Sequence, residues 1–374
     1  MKRFVLTFLL LLALPGVCFA AQSALSGDGY RQALSGYDLS AFEKLGDDAN
    51  SVLEQLGLDD FDFETVTALD AKSCVQVLGR LARQNIQTPL RALLSVLSFT
   101  LLSAFLTGFS GSGLLGQNSS VYSTASALVI AALIAAQCAD TVSLCCATIG
   151  ICADFVFAFF PAFLVILTVS GSSLTGVSTN TLLLGLNILS AKLFVPLINC
   201  FLALSLCSGM RSSLNIDGAL RVVRKGLISL ISFCAGAFVT VLSVKTAVAS
   251  RADALGLRSL RFAINSVVPV IGSAISEGLL SIQSYAGLVK STVGVVGIIG
   301  VIALFLPALI NVIGWRVSIA VSVAVSEIFD DRTVCKMLRA FGDAFLLMNV
   351  VLILSMVTTV ISIGILIAAK GAAG

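Results

Sequence analysis

The stretch "STVGVVGIIGVIALFLPALINVIG", Ser291 to Gly314, contains no charged residue. Wound as a helix, it is long enough to cross about 30 Å of hydrocarbon. Stretches near 92–110, 123–139, 155–173, 181–207, 226–249 and 346–368 read the same way. Three more, 140–152, 266–284 and 316–328, are apolar but short or polar, and fit interfacial, re-entrant or bundle-buried segments. The whole chain agrees: 57% of residues are hydrophobic and 11% charged, with mean hydropathy +1.04, where soluble domains carry about 25% charged residues. The expected fold is all-α, a polytopic helical membrane protein with a small N-terminal extracytoplasmic helical segment.

Two sets of echoes predict an internal duplication. "LLSVLSF" at Leu93–Phe99 returns as "LISLISF" at Leu227–Phe233, and "LFVP" at Leu193–Pro196 returns as "LFLP" at Leu304–Pro307, each followed closely by Ile-Asn. Upstream of each lies another proline, Pro161 in "FAFFP" and Pro269 in "NSVVP", at separations of 35 (196 minus 161) and 38 (307 minus 269) residues. The expected organisation is a first membrane repeat at 91–210, a second at 211–325, and a linker with the last transmembrane helix at 326–374. Duplicated units with proline-broken helices recur in transporters. Pro161, Pro196, Pro269 and Pro307 therefore mark either kinks lining a cavity or kinks used for packing.

The first twenty residues read as a signal peptide: Lys2 and Arg3, an apolar run from Phe4 to Leu14, and small residues at Cys18 and Ala20. An uncleaved anchor and a lipoprotein signal at Cys18 are the alternatives, and both leave 21–90 on the outer face. That segment holds eleven of the twenty acidic residues against five basic ones. Its apolar residues, Leu53, Leu56, Leu69, Val75, Leu78 and Leu81 among them, suit short amphipathic helices. It reads as a solvated helical cap or as a docking surface for a partner outside the membrane.

Basic residues gather at 211–225, 251–261 and 332–339, and the first two clusters flank a single span. Either one of them is extracellular or 226–249 enters and returns, so orientation stays open. Ionisable groups at bilayer depth are costly and point to function. Lys192 is the deepest, with Asp140, Asp154 and Glu277 as possible partners; Asp140 and Asp154 bracket a short segment and read alternatively as its water-facing ends. It either snorkels, pairs structurally with a carboxylate, or belongs to an ion or solute pathway. Cys138, Cys145 and Cys152 are seven apart, too far along a helix for one metal or a disulfide; they read as small residues against which another helix packs. The chain has no histidine, no P-loop and no Gly-x-Ser-x-Gly elbow. These absences argue against an enzyme, and no cofactor is expected. The net charge of +3, without a polybasic run, makes no case for nucleic acid.

The run "LRSLRFAINSVVPVIGSAISEGLLS", Leu257 to Ser281, resembles the stage III sporulation protein AE family, with Asn265, Pro269, Val270, Gly272, Ser273, Ala274, Ser276 and Glu277 at the positions of its Asn-x-x-x-Pro-Val-x-Gly run. Ser273 departs from a common glycine. In that run Gly272 permits close backbone approach, Pro269 breaks the helix and Glu277 supplies a buried or cavity-facing carboxylate, or one used in packing or capping. The resemblance implies a subunit of a secretion-like channel between mother cell and forespore in endospore-forming bacteria. It would sit in the mother-cell membrane around the forespore, in contact with membrane lipid. Its partners would be other subunits of the same sporulation channel, including a separate ATPase. The alternatives are an ion-coupled secondary transporter using Lys192 and Glu277, and a pure assembly scaffold.

Overall fold

A computed structural model describes residues 27–58, 60–69, 71–110, 119–210, 216–267, 272–329 and 332–368. The expected signal peptide at 1–20 and Pro269 lie outside the described residues. All regular elements among those described are helical. The N-terminal part comprises α1 (Gly27–Leu34), a 3-10 turn (Ser40–Leu45), α2 (Asp47–Gln55), α3 (Phe63–Thr67) and α4 (Ala71–Asn85). The bundle follows: α5 (Gln87–Ser110), α6 (Ser119–Val169), α7 (Ser173–Leu189), a π turn (Ser190–Phe194), α8 (Val195–Met210), α9 (Ile216–Val267), α10 (Gly272–Ile328) and α11 (Arg332–Ala368).

Among the described residues four stretches are long and apolar enough to cross a membrane: Leu128–Val169, Gly218–Gly256, Ser281–Ile328 and Val334–Ala368. Leu93–Ser103 and Lys192–Ser205 are shorter apolar helices. The stretches 123–139, 140–152 and 155–173, expected as separate segments, merge into α6, which stays helical through Pro161 as far as Val169. Asp140 and Asp154 do not end it, because both sit on its exposed side. Likewise 291–314 joins 316–328 and part of 266–284 in the single helix α10, which runs through Pro307. The stretch 226–249 does not enter and return: α9 is one helix, so its two basic clusters lie at opposite ends.

α10 forms the centre, and α11 packs antiparallel along it. The Trp315 and Phe345 rings stack at 5.5 Å, Ile319 faces Gly342, Ile363 faces Gly297, and Ile367 faces Gly294. Between these contacts the two helices share one charge-free layer. On α10 it runs from Ser291 to Trp315, bracketed by Lys290 and Arg316; on α11 it begins after Asp343 and continues to Ala368. At the helical rise this layer is roughly 36 Å deep, enough for a bilayer core. Its Arg316 edge carries an ion pair between Arg224 of α9 and Asp343 of α11 (2.8 Å), and a second joins Arg339 to Glu327. At its Lys290 edge Asp253 of α9 accepts from the Leu174 N–H (3.0 Å), placing a carboxylate at the start of α7.

α6 runs antiparallel to α10. The Trp315 indole donates to the Thr141 hydroxyl at 2.9 Å, and Phe159 and Phe163 lie against Gly297 and Gly294. Cys138, Cys145 and Cys152 are buried on α6, with Cys152 Sγ 3.7 Å from the Thr359 hydroxyl of α11, so the expected small-residue stripe does pack against another helix. α9 is peripheral. It buries a narrow stripe that includes Leu220, Leu227, Ile231, Phe238 and Leu242, and leaves Phe233 73% and Val244 60% exposed, as a lipid-facing helix should.

The acidic N-terminal part is not a freely solvated cap. Its apolar side chains join the bundle's own core cluster. Phe42 sits edge-on to Phe155 and Phe159 of α6, at 5.6 and 5.5 Å. Leu45 is fully buried, its methyl where a Cβ on Gly300 of α10 would stand. Gly46, at φ +83°, makes the sharp turn into α2 that an L side chain would strain. Tyr30 closes the outer side: its hydroxyl donates to the Phe61 carbonyl at 2.5 Å, and burial pushes its pKa up to about 12, against a hydrogen bond to Thr292 and helped by the charge of Asp62. A raised folded-state value means that stability is intact below the ordinary tyrosine pKa of about 10 and is lost as pH rises toward 12. Undocking of the cap, followed by tryptic cleavage, is expected to set in over that alkaline window, and Tyr30→Phe should remove Tyr30's contribution to it.

Candidate functional site: a charged belt within the apolar layer

Pro196 decides the local structure around Lys192. A proline brings no N–H to the carbonyl four residues earlier, here that of Lys192, and its ring crowds that carbonyl. The helix absorbs the conflict by widening into the π turn Ser190–Phe194, where the Val195 N–H reaches the Ser190 carbonyl. Such wide turns are frequent at functional sites. The turn projects Lys192 outward, exposed on one stripe with Ile188, Pro196 and Asn199.

The depth of Lys192 follows from its neighbours. Leu186 packs with Ile361 and Ile365 of α11, while Asn199 shares a small cavity with Cys145, Cys146, Met348 and Val351. Lys192 lies between these levels, roughly 20 Å from either edge of the charge-free layer by helical rise. On α6 the same level falls near Cys152, since Gly176 meets Leu164 and Leu167 above it and Asn199 meets Cys146 below. Asp154 therefore stands about half a turn from Lys192 in height, on the adjacent helix. Asp154 is exposed on a stripe with Ala147, Phe157, Pro161 and Val165.

The docked cap reaches the same height. Gly46 lies beside Ile151, one turn from Phe155, and Glu43, Lys44, Asp47 and Asp48 around it are exposed. Lys192, Asp154 and these four residues thus form a charged belt that lies inside the layer free of charge on α10 and α11.

The remaining expected site residues are placed differently. Pro161 is exposed on the α6 stripe, and Pro307 is buried in the core, where Asn311 Nδ2 donates to its carbonyl at 3.0 Å. Pro161 and Pro196 thus fall on exposed stripes and Pro307 does not. Asn265 lies in the last turn of α9, and Gly272 and Glu277 in the first turns of α10; both helix ends extend beyond the Lys290 edge. Thirteen residues separate Glu277 from Lys290 (290 minus 277), about 20 Å of helix, so Lys192 and Glu277 are not brought together. Asp140 neighbours Thr141 at the Arg316 edge, where its charge needs no partner.

Sequence reasoning passed over Lys290 and Asn349, both buried. Lys290 stands at the layer's edge, and an intramembrane asparagine is itself a signal. Asn349 lies level with Asn311 across the central seam, given that Trp315 faces Phe345. Among the described residues the Asn311 Oδ1 acceptor and the Asn349 Nδ2 donor are both buried without a hydrogen-bond partner.

Comparison with known proteins agrees with the motif at Asn265 to Glu277. The family described as stage III sporulation protein AE matches residues 62–370. The stage III sporulation protein AE of Bacillus subtilis (strain 168) is 26% identical over 149 residues, which is 39% of this chain and 37% of that protein. The aligned part is thus little more than a third of the curated relative's length. No solved structure matches the chain. With the family match extending from the cap through the last membrane helix, the chain belongs to the stage III sporulation protein AE family and is a multi-pass membrane protein.

Proposed function

We propose that the protein is a membrane-embedded subunit of the secretion-like channel complex between mother cell and forespore, needed for forespore development after engulfment. The observation that carries the reading is the charged belt at bilayer depth, in a chain whose family acts in sporulation. A solely structural bundle has no use for six exposed ionisable side chains at that depth. The expected signal peptide puts the cap outside the cytoplasm, so the Arg316 edge faces the mother-cell cytoplasm; basic clusters stand at both ends of α9 and do not decide between the two. The acidic cap then faces the intermembrane space. Energy comes from a separate ATPase of the same complex. The separation of Lys192 from Glu277 disfavours the ion-coupled transporter that would use both.

Deletion of the gene in its endospore-forming host tests the reading. Forespores are expected to complete engulfment and then shrink or stall, as followed by membrane-dye microscopy. Normal spore yield in the deletion strain would overturn it.

A further inference from the structure

We infer that the belt faces water inside the membrane: the exposed stripes of α6 and the π turn, together with the docked 3-10 turn and the start of α2, line an aqueous lumen that further copies of this chain close. The inference deepens the channel reading and rests on it for the lumen's purpose.

Lysine has a long stem and snorkels. Aspartate does not, and Asp154, Asp47 and Asp48 lie about ten helical residues, roughly 15 Å, inside the Lys290 edge. Carboxyl groups so far from either edge point to water, not to lipid. Placing the bilayer below the belt leaves only about 20 Å between the belt and the Arg316 edge, too thin for a hydrocarbon core of about 30 Å. The α9 side shows the full thickness: Phe233, Val239, Val244 and Val248 are all exposed and apolar across the heights at which the belt is charged. One side of the bundle is thus apolar but for Lys245, exposed beside Val244, whose long stem snorkels toward the Lys290 edge, and the other carries carboxylates.

Two backbone features fit water there. Pro161 and Pro196, both on the exposed stripes, deprive the carbonyls of Phe157 and Lys192 of their usual N–H donors. Water on this face supplies the missing bonds, which lipid does not.

In a single chain the belt is an open surface, so other protein must keep lipid from it. Copies of the chain do this with the belt itself. Lys192 on the π turn makes one rim of the face cationic, and on the cap Glu43, Asp47 and Asp48 outnumber the single Lys44, so neighbouring copies meet cation to net anion. Repeated heterologous contacts of that kind close into a ring.

The test is thiol accessibility in a full-length chain whose ten cysteines have been replaced. Single cysteines are placed at Asp154 and Lys192 in the belt, at Phe233 and Val244 on α9, and at Glu64, exposed on the cap away from the belt, as a water-exposed reference. A charged, membrane-impermeant maleimide is added to intact cells and to inverted vesicles. Asp154→Cys and Lys192→Cys are expected to react near the rate of Glu64→Cys from at least one side, and the α9 positions about a hundredfold more slowly, because only a hydrated thiolate reacts. Belt positions as slow as those on α9 overturn the inference. Belt labelling in a protein that co-purifies as single copies, judged with two differently tagged chains, overturns the closing by copies. A cysteine-free chain that does not accumulate is replaced by two substitutions in the native chain: Phe157→Asp is expected to accumulate normally and Phe233→Asp is not. Equal loss of both overturns the inference as well. Labelling together with normal spore yield after deletion leaves the water-facing belt standing and removes the channel reading; slow labelling with a stalled forespore does the reverse.

Discussion

Gly294→Val is expected to separate α11 from α10 and to lower the melting temperature of the detergent-solubilised protein by several degrees or more. A Cβ at Gly294 would stand 2.5 Å from Ile367 Cγ1 and 2.6 Å from its Cδ1, with the Phe163 ring behind at 3.6 Å. Ile367 is buried and β-branched, so it has few rotamers into which to retreat. Overpacking of this kind costs about 1–3 kcal/mol, and more where the backbone has to move, which valine here requires. Gly287→Ala on the same helix is the control: no atom lies within 4 Å of its Cβ, and alanine gains about 0.8–1 kcal/mol of helix propensity. Fluorescence-detected size-exclusion chromatography after heating measures both. Wild-type melting of Gly294→Val would contradict the close central seam.

Leu45→Ala is expected to release the cap while leaving the bundle inserted. Leu45 is fully buried, and its Cδ1 stands within 2.6 Å of where a Gly300 Cβ would be. Truncating such a leucine costs about 2–5 kcal/mol, depending on how far the site collapses. That is enough to undock a small helical segment whose own core is marginal. In vesicles exposing the cap, trypsin is expected to cut Leu45→Ala at Arg31 and Lys44 well before the wild type. Val75→Ala, at a position 54% exposed, should change nothing. Equal cleavage of wild type and Leu45→Ala would mean that the cap is solvated, as its composition alone suggests.

The central helices were legible because their signal is local. An uncharged run of bilayer length reads as a helix whatever packs on it, and Ser291 to Gly314 does lie inside α10. Breaks were harder. Asp140 and Asp154 read as the ends of spans, but they are fourteen residues apart (154 minus 140), close to four helical turns, and so share one face of a continuous helix. The cap's helices follow from amphipathic spacing, yet its docking depends on contacts such as Leu45 to Gly300, between residues far apart in sequence. Of the belt, Lys192 was visible by depth alone. Asp154 was read as a water-facing end, and Glu43, Lys44, Asp47 and Asp48 as solvated, since nothing local fixes their height against α6. The two Leu-Phe-x-Pro motifs also diverge: Pro196 follows a π turn, whereas Pro307 sits in an unbroken helix. The local letters did not distinguish them.

α10, from Gly272 to Ile328, is one helix about 85 Å long, far more than a bilayer requires. It holds the cap near Tyr285 and Gly300 at one end, and at the other Glu327 is tied to Arg339. A continuous helix is stiff along its axis, so it acts as a push-rod. A load applied to the cap outside the membrane reaches the basic edge as axial displacement rather than being absorbed at a joint. The cap and the basic edge are therefore mechanically coupled across the whole thickness of the apolar layer.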